Sequence, residues 1–204
     1  MRGGFLKFII LGYLALYWTI WLHEVGHSYM YKKYGCKAES FLKVTVPFYL
    51  LFSTPSPVDE NKTNSLTKKQ VFNVCIAGVT VNMFLGIIST LTLSFVNMTS
   101  EVNLILLNFF ALFNLTEVAS YLIINNMFLS SDMKGVASYS KGLRIAAFIV
   151  GLIAIAIIAF LLYKAPISMF RPLAIGSILI GLIMSVARIF FELKNKKNTC
   201  NNYL

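Results

Sequence analysis

Five long apolar runs set the first constraint on what this chain can fold into. They extend from about Phe5 to Tyr31, Val71 to Val96, Val102 to Ile124, Leu143 to Tyr163 and Leu173 to Leu193. Each approaches or exceeds the roughly 20 residues that a helix needs to cross the hydrocarbon core of a bilayer. Lipid offers no partners to backbone N–H and C=O groups, so such runs predict helices that satisfy themselves. The expected fold is an all-α polytopic membrane protein, a single membrane domain over residues 1–204. The composition agrees: 57% of the 204 residues are hydrophobic and 13% charged, too apolar for an ordinary soluble domain. Arg2 and Lys7 ahead of the first run imitate a secretory leader. That run is too long, and no small-x-small site follows it, so a retained helix is expected.

The net charge of +10 invites a nucleic-acid reading, which the placement of the charge excludes. Lys and Arg sit mostly between the apolar runs, with no Arg-rich stripe, aromatic platform or zinc-finger spacing. Lys32, Lys33 and Lys37 follow the first run, and Lys62, Lys68 and Lys69 precede the second. Lys134, Lys141 and Arg144 lie between the third and fourth, and Lys194, Lys196 and Lys197 follow the fifth. The connection NMTSE between the second and third has none. By the positive-inside rule the first, third and fifth helices end in the cytoplasm; Lys164 and Arg171, between the fourth and fifth, run against this. Cys36, Cys75 and Cys200 are isolated and predict no disulfide framework.

After the first run the texture changes. In SFLKVTVPFYLL, Leu42, Val44, Val46, Phe48 and Leu50 alternate with Phe41, Lys43, Thr45, Pro47 and Tyr49. Period two predicts a short strand-like or re-entrant segment over about 40–50. VDENKTNSLTKKQ then reads as a solvated loop.

The chemistry is concentrated in HEVGH, residues 23–27, late in the first apolar run. Residues four apart share a helix face, so His23 and His27 can direct ring nitrogens at one ion, with Glu24 beside it. Two histidines and a carboxylate that takes a proton from water are the components of a zinc hydrolase. Ionisable groups at membrane depth are costly, and a bound cation with an aqueous cavity offsets that cost. Catalytic zinc ordinarily takes three protein ligands. No histidine remains in the chain, so the third is expected to be a carboxylate. Glu101 falls on the far side of the membrane. Glu39, Asp59 and Glu60 belong to a loop region, and Glu192 sits among basic residues. Glu117 and Asp132 remain. Asn114, Glu117 and Tyr121 form a polar stripe at helical spacing, which makes Glu117 either a ligand or a partner that orients a ligating histidine. Cys75, Gly78, Asn82 and Gly86 form a face of small and polar residues suited to close helix packing.

HEVGH late in an apolar helix resembles the site-2 protease family of intramembrane zinc metalloproteases. AGVTVN (77–82) is similar to that family's Ala/Gly-Gly-x-x-x-Asn motif, and NMFLSSDMKG (126–135) resembles its later Asn- and Pro-containing turn leading to Asp-Gly. The resemblance spans about residues 8–140, with the helices of about 143–193 following. It implies one zinc per chain held by His23, His27 and Asp132, with Glu24 as general base and Asn82 on the substrate backbone or oxyanion. The turn departs from the pattern, having no proline before Asp132 and Met133 in place of glycine. The family also implies a substrate within the bilayer, a membrane protein or small peptide precursor. A minimal form is expected, without a PDZ or other accessory domain, multi-pass in a cell membrane with its site toward the cytoplasm. The Asn-, Lys- and Ile-rich composition fits a bacterium of low genomic GC. The competing expectation is a catalytically inactive metal-binding membrane protein, a transporter or immunity-like homologue.

Overall fold

The computed structural model describes residues 2–201, with side chains described for 5–194; the side chains of Lys196, Lys197 and Cys200 lie outside that range. The elements are α1 (Arg2–Lys33), α2 (Glu60–Asn64), α3 (Lys68–Phe95) and α4 (Glu101–Ala119), which continues through a π-helical turn (Ser120–Asn125) into the single turn α5 (Asn126–Phe128). α6 (Met133–Tyr139), α7 (Lys141–Lys164) and α8 (Ile167–Asn201) follow. Among the described residues, five stretches are long and apolar enough to cross a membrane: Phe5–Lys33, Lys68–Phe95, Glu101–Phe128, Lys141–Lys164 and Ile167–Lys194. The chain is an all-α multi-pass membrane protein.

α4 is the core helix. Ile105, Leu112, Leu115 and Val118 are fully buried on it, and α1, α3, α7 and α8 pack around it. A helix apolar on every side can be buried on every side; its neighbours instead leave Phe5, Ile9, Phe84, Ile145 and Ile178 exposed, as lipid-facing surfaces do. Thr67 and Gln70 form a capping box that starts α3, satisfying donors that the first helical turn leaves unpaired. Lys7 at the beginning of α1 reaches Glu101 at the beginning of α4, 2.7 Å away, so Glu101 lies at the end of α1 remote from HEVGH. A buried polar contact, Asn114 Nδ2 donating to Thr19 Oγ1 at 3.1 Å, ties α4 to α1.

Two expectations need correction. Among the described residues no strand forms over 40–50: the segment contains a single bridge, Thr45 to Thr54. Left-handed φ at Leu50 and Phe52 (63° and 59°) interrupts the extended backbone, and Pro47 lacks the N–H a ladder needs. The segment is re-entrant. Tyr13 Oη donates to the Phe48 carbonyl at 2.8 Å, and Tyr13 lies N-terminal to His23 on α1, about 15 Å along the axis at 1.5 Å per residue. The loop therefore runs back beside α1 past the histidines. At its base Lys37 is buried, and its Nζ donates to the carbonyls of Lys43, Pro55 and Pro57 at 2.7, 2.7 and 3.1 Å. Secondly, the last helix begins at Ile167, not Leu173, and includes Arg171 and Pro172. Pro172, the sixth residue of this helix, falls in its second turn and cannot donate to the Ser168 carbonyl, a loss confined to one bond near the helix start.

Candidate metal centre and its cavity

His23 and His27 lie on α1, ten and six residues before its last residue, Lys33, or about 15 and 9 Å along the helix. Their Nε2 atoms are 3.0 Å apart. Asp132 Oδ2 lies 3.3 Å from Nε2 of His27 and 3.7 Å from Nε2 of His23. Donors about 2.0–2.2 Å from a tetrahedral zinc ion stand about 3.3 Å from one another, so the triangle already has the size that such an ion requires. Among the described residues no other trio of His, Cys, Asp or Glu converges in this way.

The ring nitrogens facing away from the triangle are engaged. His27 Nδ1 lies 2.7 Å from the Val74 carbonyl. A carbonyl can only accept, so Nδ1 carries the proton and Nε2 keeps a lone pair. The Asn82 amide lies 3.2 Å from His23 Nδ1. As placed, Asn82 Nδ2 faces the ring and Oδ1 is buried without a partner; exchanging the two amide atoms lets Oδ1 accept the Nδ1–H, and in that arrangement His23 Nε2 is equally free. Asn82 is fully buried behind His23, between α3 and α1. Gly78, one turn earlier on α3, lies flush against both imidazoles, and Gly26 on α1 lies against the Ala77 carbonyl. These glycines bring the two helices close enough for Val74 and Asn82 to reach the rings.

Asp132 comes from a turn without the expected prolines. Leu129 and Ser131 take left-handed φ of 49° and 53°, a sparsely populated conformation for such residues. Asn126 braces the turn: its Nδ2 donates to the Arg144 carbonyl at 2.9 Å, and Arg144 Nε and Nη2 donate to Asn126 Oδ1 and its carbonyl at 3.0 and 2.9 Å. Gly135 packs α6 directly on Cys75 of α3. Burial alone would push the Asp132 carboxyl up. Where the His27 and His23 rings carry the extra proton, their charge beside it outweighs that and holds it well below the usual carboxylate range, as a cation on the neutral rings would.

No protein-family model, curated protein or solved structure matches this chain. The site is therefore read from its own residues. His23, Glu24, His27 and Asp132 line a cavity of about 360 Å³ together with Leu50 to Pro55, Glu117, Tyr121, Arg188 and Glu192. Lys134 Nζ pairs with Glu192 at 2.5 Å. In their ionised forms four lining carboxylates, Glu24, Glu117, Asp132 and Glu192, face two bases, Arg188 and Lys134. A divalent cation would supply the missing positive charge. Donor spacing, free lone pairs and charge balance all fit a metal ion held by His23, His27 and Asp132.

Glu117 is deeply buried, and its partner is Arg188, with Nη2 donating to Oε2 at 2.5 Å, rather than a histidine. Arg188, Glu192 and Tyr121 stand out here in a way the sequence did not suggest. The arginine and glutamate look like the basic and acidic fringe at the end of an apolar helix. Tyr121 was visible only as part of a stripe, although its ring stacks on His23 at 4.9 Å and 15°. The signal available for it was the i+4 spacing from Glu117. The π-helical turn that carries it has no sequence signature, although such turns are frequent at functional sites.

Proposed function

We propose that this chain is an intramembrane zinc metalloprotease of the site-2 protease type, cutting a peptide bond in or near the membrane segment of a membrane protein or small peptide precursor. The observation that carries the reading is the convergence of His23, His27 and Asp132, with Glu24 lining the same cavity, inside a bundle of membrane-spanning helices. In this reading His23, His27 and Asp132 hold one zinc ion. Zinc, when bound, acts as a Lewis acid toward a water and a carbonyl. Glu24 takes the proton from the attacking water and returns it to the leaving amine, so that one side chain serves both halves of the hydrolysis. Asn82 and the Val74 carbonyl orient the ligating rings.

Helical substrate hides its carbonyls in intrahelical bonds and must unwind before it can be cut. The re-entrant segment offers an extended partner: Leu50 to Pro55 border the cavity, and the Ser53 hydroxyl is buried with no partner of its own. Addition of an extended substrate strand along this segment would hold it beside Glu24. The basic residues that follow α1 and precede α3 support a reading in which this end of the bundle faces the cytoplasm across a cell membrane, and the Asn-, Lys- and Ile-rich composition supports a bacterial one.

The test compares zinc content and cleavage of a co-expressed library of membrane-spanning peptides for the unaltered protein and Glu24→Gln. About one zinc in each, with cleavage by the unaltered protein alone, is the expected result. Cleavage by both variants would remove Glu24 from the mechanism. Zinc in both with cleavage by neither would favour a metal-binding membrane protein without hydrolysis.

A further inference from the structure

The metal-binding triangle sits at one end of a column of side chains that crosses from α1 through the π-helical turn to α8. Tyr121 stacks on His23, with ring centroids 4.9 Å apart and planes 15° from parallel. Arg188 stacks on Tyr121, its Cζ 4.0 Å from the ring centroid. Glu117 and Ser120 then fix the guanidinium, Nη2 donating to Glu117 Oε2 at 2.5 Å and Nη1 to Ser120 Oγ at 2.9 Å. Ser120 Oγ in turn lies 3.0 Å from Ser185 Oγ, one turn before Arg188 on α8. The members of this column are largely or wholly buried.

We infer that Arg188, seated by Glu117 and acting through Tyr121, is a positioning residue that fixes the plane of the His23 imidazole, making α8 part of the metal centre. The inference rests on the metal-binding part of the function proposed above. An imidazole held only by its Nδ1 contact can still swing about that bond. A ring pressed flat against one face cannot, and its Nε2 then keeps its bearing on the ion. The tyrosine needs a counterpart on its other face, or it tilts. A guanidinium suits that place because it is flat, permanently charged and able to stack while donating in its own plane. Glu117 provides the countercharge that lets an arginine lie at this depth. The π-helical turn accounts for the geometry: the widened backbone sets Ser120 and Tyr121 so that one meets the guanidinium edge while the other meets its face. Residues that orient metal ligands typically change metal affinity by about 10–100-fold when replaced.

The experiment loads the detergent-solubilised full chain with Co²⁺, whose visible absorption reports the arrangement of its ligands, and measures affinity and spectrum together. Arg188→Lys keeps a cation for Glu117 but removes the flat face. Tyr121→Phe keeps the ring and removes the hydroxyl. Gly181→Ala disturbs the α4–α8 contact, its added Cβ standing 2.9 Å from Thr116 Cγ2, without touching the stack. The expected result is Co²⁺ affinity about tenfold lower with a shifted spectrum for Arg188→Lys, and unaltered values for Tyr121→Phe and Gly181→Ala. Equal affinity and an identical spectrum for Arg188→Lys and the unaltered protein would overturn the inference and leave the metal centre standing. So would a Gly181→Ala variant that reproduces the Arg188→Lys spectrum, since the effect would then be one of helix packing. An unaltered protein that takes up no Co²⁺ would overturn the metal centre and the inference together.

Discussion

Gly78 lies so close beneath His27 that a Cβ built on it would stand 2.5 Å from the ring's Nε2, and 2.7 Å from Nε2 of His23. The glycine on α3 and the histidine pair on α1 are one device, because a methyl group at position 78 would occupy the edge of the rings that faces Asp132.

Gly78→Ala is therefore expected to abolish stoichiometric zinc binding, with a packing cost of about 1–3 kcal/mol. Gly142→Ala is the control, since its added Cβ meets only an ordinary contact, Ser140 Oγ at 3.7 Å. Metal content after dialysis against a buffered zinc solution checks both, and equal zinc in the two variants would contradict the geometry.

Asp132 and Glu117, the two carboxylates left open by topology, should separate cleanly. Asp132→Asn weakens a direct oxygen donor and is expected to lower zinc affinity by more than about 100-fold, beyond the usual range for residues that merely orient ligands. Glu117→Gln leaves Arg188 buried without its counter-ion, a change that typically costs about 3–5 kcal/mol. Its main effect should be a lower melting temperature, with a smaller loss of metal. Replacing both Glu117 and Arg188 by apolar residues should restore much of the melting temperature without restoring the affinity. Titration with a competing chelator and thermal unfolding in the same detergent distinguish these outcomes.

Asn126 and Arg144 hold the Asp132 turn to the start of α7 through both backbone and side-chain contacts. Arg144→Ala removes the charged donors and should cost about 1–3 kcal/mol. The loss should surface locally, as faster amide hydrogen exchange over 129–135 than over α4. Unchanged exchange in that turn would show that its left-handed residues are held by something else.

Lys37 closes the base of the re-entrant loop by donating to three carbonyls at once. In Lys37→Met all three acceptors lose a charged donor in a poorly hydrated place, each at a cost of about 1–3 kcal/mol. Limited proteolysis should then cut within 43–57 at least tenfold faster, while the distant α3–α4 connection keeps its rate. If substrate is aligned by this loop, the KM for cleavage should rise more than kcat falls.

The five spans were legible because a membrane helix is announced by its length and apolarity alone, and both survive in the sequence without knowledge of partners. HEVGH was legible because i and i+4 share a helix face in any context. Asp132 was harder: topology admitted Glu117 equally, and only the resemblance of its turn to a family pattern separated them. The turn itself has neither the prolines nor the glycine that would mark it, and it is held instead by Arg144 from another helix. The strand-like reading of 40–50 mistook alternation for pairing, since a strand requires a neighbour and the loop finds one at Thr45 and Thr54 alone. Arg188 was illegible because a basic residue near the end of a last apolar run ordinarily records orientation. Its role depends on what α4 presents across a helix interface, which no local pattern encodes.

The π-helical turn at Ser120–Asn125 amounts to a surplus residue stored near the C-terminal end of the core helix. Deleting any one residue there would let the hydrogen bonds relax to ordinary α spacing, and by local criteria the helix would be improved. Everything beyond it would then be turned by about 100°, the rotation of a single helical residue. Asp132 would follow that rotation away from the histidines. The irregularity is thus the register mark of the site: the chain keeps a less perfect helix so that residues far apart in sequence arrive on the same side of it.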